Sequence, residues 1–174
     1  MPPVQKKICL LGDFAVGKTS LVRRYVYARF DDKYLSTIGV KVSRKHLAIP
    51  HAGGVVEMTM LLWDLAGSEE FTRMRASYLR GATGAVLVCD LTRQETLAGL
   101  VDYARDFLSI NPHASLVIAG NKQDLVEQRV ITDDDLAAIA TQQNQAPCFT
   151  SSAKTGKNVE TLFQILGQNI LARK

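Results

Sequence analysis

A glycine-rich segment between an apolar run and a helical pattern constrains this sequence more than any other feature. Residues 12–19 read GDFAVGKT, a full match to the pattern G-x-x-x-x-G-K-[ST]. Such glycines let the backbone wrap so that its N–H groups point at phosphate oxygens, and the start of the following helix adds positive potential. An ordinary glycine-rich turn is the alternative, but fewer than about one chain in a hundred would match by chance. The sequence therefore predicts a phosphate-binding loop, in which Lys18 would bridge the β- and γ-phosphates and the Thr19 hydroxyl would bind Mg²⁺.

Apolar runs of strand length alternate with amphipathic stretches along the chain, which is typical of βαβ units and a mostly parallel sheet. The predicted buried strands are residues 8–11, 60–63, 85–91, 115–119 and 146–149. Apolar residues at helical spacing predict helices over 21–26, 97–108 and 159–170. Thr132, followed by an acidic turn, predicts the start of a fourth crossing helix.

Residues 41–63 interrupt this alternation. Two strand-like stretches there flank the sequence PHAGG at 50–54, which predicts an antiparallel hairpin at the edge of the sheet. We therefore expect an α/β fold: a six-stranded, mostly parallel sheet with one antiparallel edge strand and helices on both faces.

Length and composition fit one compact domain over residues 1–174. The chain has a formal net charge of +4, 47% hydrophobic residues and 22% charged residues, values typical of globular rather than disordered or fibrous chains. No apolar run reaches the roughly 18 residues of a membrane span, and the apolar run near the N-terminus is too short for a secretory signal. The chain ends at Lys174 without a terminal cysteine or polybasic run, so we expect no C-terminal lipidation tail and no direct membrane anchor.

The charge and the cysteines indicate the compartment and the partners. Lysines and arginines are spread along the chain, which is typical of a solvated surface, so we expect no nucleic-acid partner. Cys9, Cys89 and Cys148 each lie in or beside an apolar run, and their odd number and wide spacing fit neither a disulfide framework nor a zinc site. We therefore expect reduced core cysteines and a cytoplasmic protein.

Two further segments follow predicted strands, at the end of the sheet where open α/β folds bind ligands. The first is NKQD at residues 121–124, and the second is SAK at residues 152–154. The Asp124 carboxylate can accept from both N1–H and the 2-amino group of guanine, whereas adenine offers no such pair of donors. Polar loops with a capping Asp are the alternative, but both segments together with a phosphate loop favour guanine recognition.

The other residues of these segments complete the predicted base site. Asn121 and the Ala153 N–H would face N7 and O6 of guanine. The apolar stems of Lys122 and Lys154 can cover the faces of the ring. Ser152 begins the second segment and belongs to the same predicted site.

With these loops, the chain resembles a Ras-superfamily small GTPase, most closely the Rab branch. WDLAG at 63–67 resembles the family's switch II, STIGV at 36–40 its switch I, and SYLRGA at 77–82 a Rab stretch. The resemblance covers essentially the whole chain and implies a single P-loop NTPase G domain that binds GTP or GDP with Mg²⁺. By this resemblance Thr37 would ligate Mg²⁺ and sense the γ-phosphate, and Asp64 would hold the ion through water.

The resemblance also adds residues around the nucleotide. The Gly67 N–H would reach the γ-phosphate, Phe30 would stack on the guanine edge and Tyr34 would cover the phosphates. Effectors, exchange factors and GTPase-activating proteins would bind through residues 31–42 and 64–80, and we expect a monomer. The full set of expected nucleotide ligands is Gly12, Phe14, Ala15, Val16, Gly17, Lys18, Thr19, Ser20, Phe30, Tyr34, Thr37, Gly67, Asn121, Lys122, Asp124, Ser152, Ala153 and Lys154.

Two departures from the family concern GTP hydrolysis, for which Ser68, Lys18 and Gly67 are the expected catalytic positions. Ser68 occupies the place of the family's water-positioning glutamine, and its shorter side chain predicts slow intrinsic hydrolysis. Phe14 stands where the family has a small residue, and its ring could obstruct an arginine finger. Two functions stay open: a GTP/GDP switch in signal transduction that hydrolyses GTP slowly, or a constitutively GTP-bound binding module.

Overall fold

The computed structural model describes residues 3–30, 39–65 and 75–173 and contains the predicted sheet. Its six strands lie in the order β2-β3-β1-β4-β5-β6. β2 pairs with β3 antiparallel, and the other neighbouring pairs are parallel. The strands are β1 (Val4–Leu11), β2 (Val40–His51), β3 (Gly54–Leu65), β4 (Gly84–Asp90), β5 (Ser115–Asn121) and β6 (Cys148–Thr150).

Helices connect the parallel strands. They are α1 (Lys18–Tyr27), α2 (Arg75–Leu79), α3 (Gln94–Ala98), α4 (Leu100–Ile110), α5 (Asp133–Gln142) and α6 (Val159–Ala172), with a short 3₁₀ helix at Val126–Gln128. The predicted start of α5 is confirmed: the Thr132 hydroxyl accepts from the Asp135 N–H, and the Asp135 carboxylate accepts from the Thr132 N–H. This reciprocal pair satisfies two backbone donors that the first turn leaves without helical partners.

Several predicted boundaries differ from the observed ones, and three of these differences concern the middle helix, the hairpin and the last strand. The stretch expected as one helix over 97–108 is divided between α3 and α4, which meet at Gly99. The hairpin turn is tighter than expected, because only Ala52 and Gly53 separate the strands, both with positive φ, and Pro50 lies within the edge strand. The last strand begins at Cys148 rather than at residue 146.

The sheet separates two apolar cores. Ile8 and Leu10 of β1 pack on one face with α1 and α6, while Cys9 and Leu11 pack on the other face with α4 and α5. Every residue of β4 and β5 is buried, as expected for strands covered on both faces. Because β1, β4, β5 and β6 run parallel, the loops that follow them emerge along one edge of the sheet.

The described residues bear on two expectations, which concern membrane-spanning segments and the state of the cysteines. Among those residues, no helix combines the length and apolarity that a membrane crossing requires. Cys9 and Cys89 are buried, Cys148 is half-buried, and all three are free thiols.

Candidate functional site

The phosphate-loop segment joins the end of β1 to the start of α1, and its backbone requires glycine. Gly17 has φ +104°, and a Cβ there would lie 2.3 Å from Asn121 Nδ2. A Cβ at Gly12 would lie 2.2 Å from the carbonyl oxygen of Val88. The loop therefore wraps closely against β4 and β5, where a side chain at either glycine would collide.

All the carbonyl oxygens from residue 12 to residue 16 accept hydrogen bonds from side chains. These bonds are Lys18 Nζ to Gly12 at 2.7 Å and to Asp13 at 3.1 Å, Arg93 Nη2 to Phe14 at 2.6 Å, Lys122 Nζ to Ala15 at 2.9 Å, and Asn121 Nδ2 to Val16 at 3.0 Å. In a trans peptide the N–H points opposite to the C=O. The amides that follow these carbonyls consequently point away from the bracing side chains, the arrangement that an anion-binding loop needs.

Lys18 is a nearly buried cation at the first position of α1. It is only 7% exposed, and burial lowers the pKa of its ammonium to about 8, although Asp64 and Asp13 nearby favour the charged form. The net attraction between such a cation and an incoming anion is strong, because the ammonium has already lost most of its water and little more must be removed.

Thr19 and Asp64 are brought together from α1 and the end of β3. The Thr19 hydroxyl donates to Asp64 Oδ2 at 2.5 Å, and Asp64 is 1% exposed. A hydroxyl and a carboxylate are the hard oxygen donors that Mg²⁺ prefers, usually completed by water and substrate phosphates. The described residues hold no cluster of three His, Cys, Asp or Glu side chains, so a Mg²⁺ ion here would need those additional oxygens.

The NKQD and SAK segments also meet, as the sequence predicts. The Ser152 hydroxyl donates to Asp124 Oδ1 at 2.7 Å and accepts from the Thr155 N–H at 3.0 Å. The buried Ser151 hydroxyl donates to Asn121 Oδ1 at 3.2 Å. The bond from Ser152 orients the Asp124 carboxylate beside the loop after β6, and the bond from Ser151 orients the Asn121 amide.

Two arginines and one carboxylate that sequence reasoning did not single out also contact these loops. Arg24 of α1 donates from Nε to the Ala153 carbonyl at 2.7 Å and from Nη2 to the Lys154 carbonyl. Arg93, which follows β4, contacts the phosphate loop and the buried Asp90. The signal available in the sequence is position alone: Asp90 is the last residue of a buried strand, and Arg93 follows that strand at its carboxyl end.

The remaining predicted residues divide into two groups. Phe30 follows α1 and is 37% exposed, Lys154 is exposed, and Ser20 lies half-buried in the first turn of α1. Tyr34, Thr37, Gly67 and Ser68 lie outside the described residues.

A mostly parallel sheet whose first strand runs into a glycine-rich loop and a helix defines a P-loop nucleotide-binding domain. The family model described as "Ras family" matches residues 7–172. Ras-related protein Rab7 of Drosophila melanogaster is 35% identical over 170 residues, covering 95% of this chain and 80% of that protein. Ras-related protein Rab-7a of Dictyostelium discoideum is also 35% identical, with 95% and 82% covered. GTP-binding protein ypt4 of Schizosaccharomyces pombe is 30% identical over 168 residues, with 96% and 72% covered.

The chain therefore belongs to the Ras family and is Rab-like within it. Members of this family are GTPases, hydrolases that bind guanine nucleotides with Mg²⁺.

Proposed function

We propose that this chain is a GTP/GDP switch that hydrolyses GTP slowly. The observation that carries the proposal is the meeting of three loops at one edge of the sheet, where side chains of the NKQD segment donate directly to carbonyls of the phosphate loop. A single ligand with a base at one end and phosphates at the other would contact all three loops. Family membership supports guanine as the base.

Each described residue then has a role that its surroundings support. The loop amides and Lys18 would bind the phosphates, and Thr19 with Asp64 would hold Mg²⁺, which neutralises phosphate charge when bound. Asp124 would accept from the guanine edge. Asn121 would tie the base loop to the phosphate loop, since its amide already donates to Val16 and its carbonyl accepts from Ser151.

The role of Asp124 leads to a direct test of base selection. Calorimetric titration of the nucleotide-free chain with GDP, ADP and xanthosine diphosphate should give tight binding of GDP alone. Xanthine carries a carbonyl where guanine carries the 2-amino group, so Asp124→Asn, which can donate, should lose GDP and gain xanthosine diphosphate. Each change should be about a hundredfold, the effect of about two hydrogen bonds lost or gained.

Asp133→Asn is the matched control, because Asp133 is also an acidic residue with a hydrogen bond but lies at the exposed start of α5. It should bind the three nucleotides as wild type does. Tight ADP binding by wild type would contradict guanine selection.

Ser68 carries the proposal of slow hydrolysis. Single-turnover GTP hydrolysis should be slow for wild type and faster by about tenfold or more for Ser68→Gln, because a longer amide can orient the attacking water. Ser77→Gln, at a serine of α2, is a control for adding a glutamine elsewhere in the segment. A fast wild type that Gln does not improve would contradict this role.

A constitutively GTP-bound module is the second candidate. Phe14 favours it, because this residue of the phosphate loop is 53% exposed where an activating protein would insert an arginine. Nucleotide content after purification separates the two: GTP that persists over many hours favours the module, and GDP favours the switch.

As a Rab-like switch, the chain would present residues 31–42 and 64–80 to effectors, exchange factors and activating proteins, as a cytoplasmic monomer. Titration of the GDP-bound and GTP-bound forms with a candidate partner should show a difference in affinity, since a switch requires differential binding of its two states.

A further inference from the structure

Asp90 is a buried carboxylate at the carboxyl end of β4, and it gathers two cations. It is 1% exposed, and its Oδ2 lies 2.8 Å from Lys122 Nζ and 3.1 Å from Arg93 Nε. Its Oδ1 accepts from the Thr92 N–H at 2.9 Å and from the Thr92 hydroxyl at 2.7 Å. Four donors thus compensate for the water that this carboxylate has lost.

Both cations extend from Asp90 to the phosphate loop, at consecutive residues. Lys122 Nζ donates to the Ala15 carbonyl at 2.9 Å, and Arg93 Nη2 donates to the Phe14 carbonyl at 2.6 Å. Lys122 belongs to the NKQD segment, whereas neither Arg93 nor Asp90 belongs to any motif recognised in the sequence. Asp90 therefore joins the loop after β4 and the loop after β5 to the same turn of the phosphate loop.

Arg93 is suited to this place because its guanidinium carries donors that point in different directions. Nε faces Asp90 while Nη2 faces the Phe14 carbonyl, so one planar group spans a carboxylate and a backbone oxygen. A lysine offers one nitrogen and cannot reproduce that fork. The bond matters locally, because the peptide whose carbonyl it holds also carries the Ala15 N–H, and Ala15 has an unfavourable φ of +63°.

We propose that Arg93, anchored by Asp90, is a positioning residue that holds the phosphate loop in its anion-binding conformation and so sets the lifetime of bound guanine nucleotide. This inference rests on the proposed function, since it concerns the same site. When Arg93 is replaced, the Phe14 carbonyl loses this hydrogen bond, and the Ala15 N–H of the same peptide is held less firmly in its direction. Nucleotide should then dissociate faster, while the base-binding loops are unchanged.

The test measures two properties of the full chain loaded with GDP and Mg²⁺. Displacement of fluorescently labelled GDP by excess GDP gives the dissociation rate, and ³¹P NMR gives the chemical shift of the bound β-phosphate. Arg93→Gln should raise the dissociation rate about tenfold, the effect of one charge-assisted hydrogen bond lost. It should also move the β-phosphate resonance, which a change in general stability would not do.

Three further variants sharpen the test. Arg129→Gln is the matched control, because Arg129 likewise bridges a carbonyl (Ile131, 2.7 Å) and a carboxylate (Asp133, 2.7 Å), away from the phosphate loop. It should match wild type in both measurements. Arg93→Lys should fall between wild type and Arg93→Gln. Asp90→Asn should be at least as fast as Arg93→Gln, and the double variant should be no faster than Asp90→Asn within about twofold, because the two residues act as one unit.

The outcomes separate this inference from the proposed function. A wild type that retains GDP, together with Arg93→Gln indistinguishable from Arg129→Gln in rate and ³¹P shift, overturns the role of Arg93 alone. If Arg93→Gln does not fold, Arg93→Lys decides, and wild-type rate and shift in that variant overturn the role. A wild type that binds no guanine nucleotide overturns the proposed function and this inference with it.

Discussion

Gly17 is a residue at which the phosphate loop tolerates little change. Its φ of +104° is costly for any side chain, and a Cβ would overlap Asn121 Nδ2 at 2.3 Å. Gly17→Ala should therefore displace Asn121 and weaken GDP binding, with a loss of at least about 2 kcal/mol in the free energy of unfolding. Urea unfolding and a GDP titration measure the two effects.

Gly53→Ala is the control that separates the backbone strain of a positive φ from the collision of the added Cβ with its neighbours. Gly53 also has a positive φ of +78°, but nothing lies within 4 Å of a Cβ there. This variant should cost about 1 kcal/mol from φ alone and leave GDP affinity unchanged. If Gly17→Ala behaves like Gly53→Ala, crowding against Asn121 has no importance.

The sequence singles out the motif residues but not the residues that support them. Lys18, Thr19 and Asp124 stand in short patterns whose chemistry can be recognised locally. Arg24 and Arg93 act on loops 129 and 79 residues away in the chain, so their partners become evident only when the fold brings them together. An isolated arginine after a strand is otherwise typical of a solvated surface.

At the level of elements, the hydrophobic period predicts the strands and the longer helices but not where each begins, and it does not predict α2. The expected helix over 97–108 is divided at Gly99, whose backbone keeps a helical φ of −63°, and a Cβ there would lie 3.2 Å from Asp13 Oδ2 of the phosphate loop. That close approach depends on tertiary packing. Similarly, β6 is only three residues long, and its apolar run starts before its ladder with β5 does.

Helix α1 contacts the SAK segment after β6 as well as following the phosphate loop, and this predicts a role for Arg24. Arg24→Leu removes two hydrogen bonds to the carbonyls of Ala153 and Lys154 while keeping much of the apolar stem. We expect GDP to bind about tenfold or more weakly, because the two peptides on either side of Lys154 lose these bonds and the loop after β6 is held less firmly against α1. Isothermal titration with GDP measures the change.

Arg23→Leu is the control for this prediction. Arg23 is the preceding residue of α1, equally half-buried and of the same charge. It should change GDP affinity by less than about twofold, because long-range attraction to phosphates is largely screened by salt. Equal losses of GDP affinity in the two variants would mean that the positive charge, and not the contact with the SAK segment, is responsible.

At the scale of the whole molecule, the apolar cores on the two faces of the sheet predict how the three cysteines react with a thiol reagent. Cys9 and Cys89 are fully buried, and burial raises the pKa of each to about 12, so their reactive thiolate forms are scarce at pH 8. Burial also raises the pKa of Cys148, which is only half-buried. A colorimetric thiol reagent at pH 8 should therefore modify Cys148 slowly in the folded chain and all three cysteines in denaturant.

Cys148→Ser should abolish the reaction of the folded chain and leave that of the unfolded chain reduced by one thiol. Rapid modification of Cys9 or Cys89 under native conditions would show that the sheet opens far more often than a packed core allows.

The strand order also dictates when, during synthesis, the chain can first hold its ligand. β1 is made first but lies in the interior of the sheet, between β3 and β4, and both partners are translated later. The phosphate loop that follows β1 acquires Arg93 after β4, and Asn121 and Lys122 at the end of β5. Arg24 of α1 acquires its contact with the loop after β6 only when residue 154 has emerged. Nucleotide therefore cannot stabilise a half-made domain, and the loop after β1, the first of the described strands in chain order, is among the last segments of the domain to acquire its working shape.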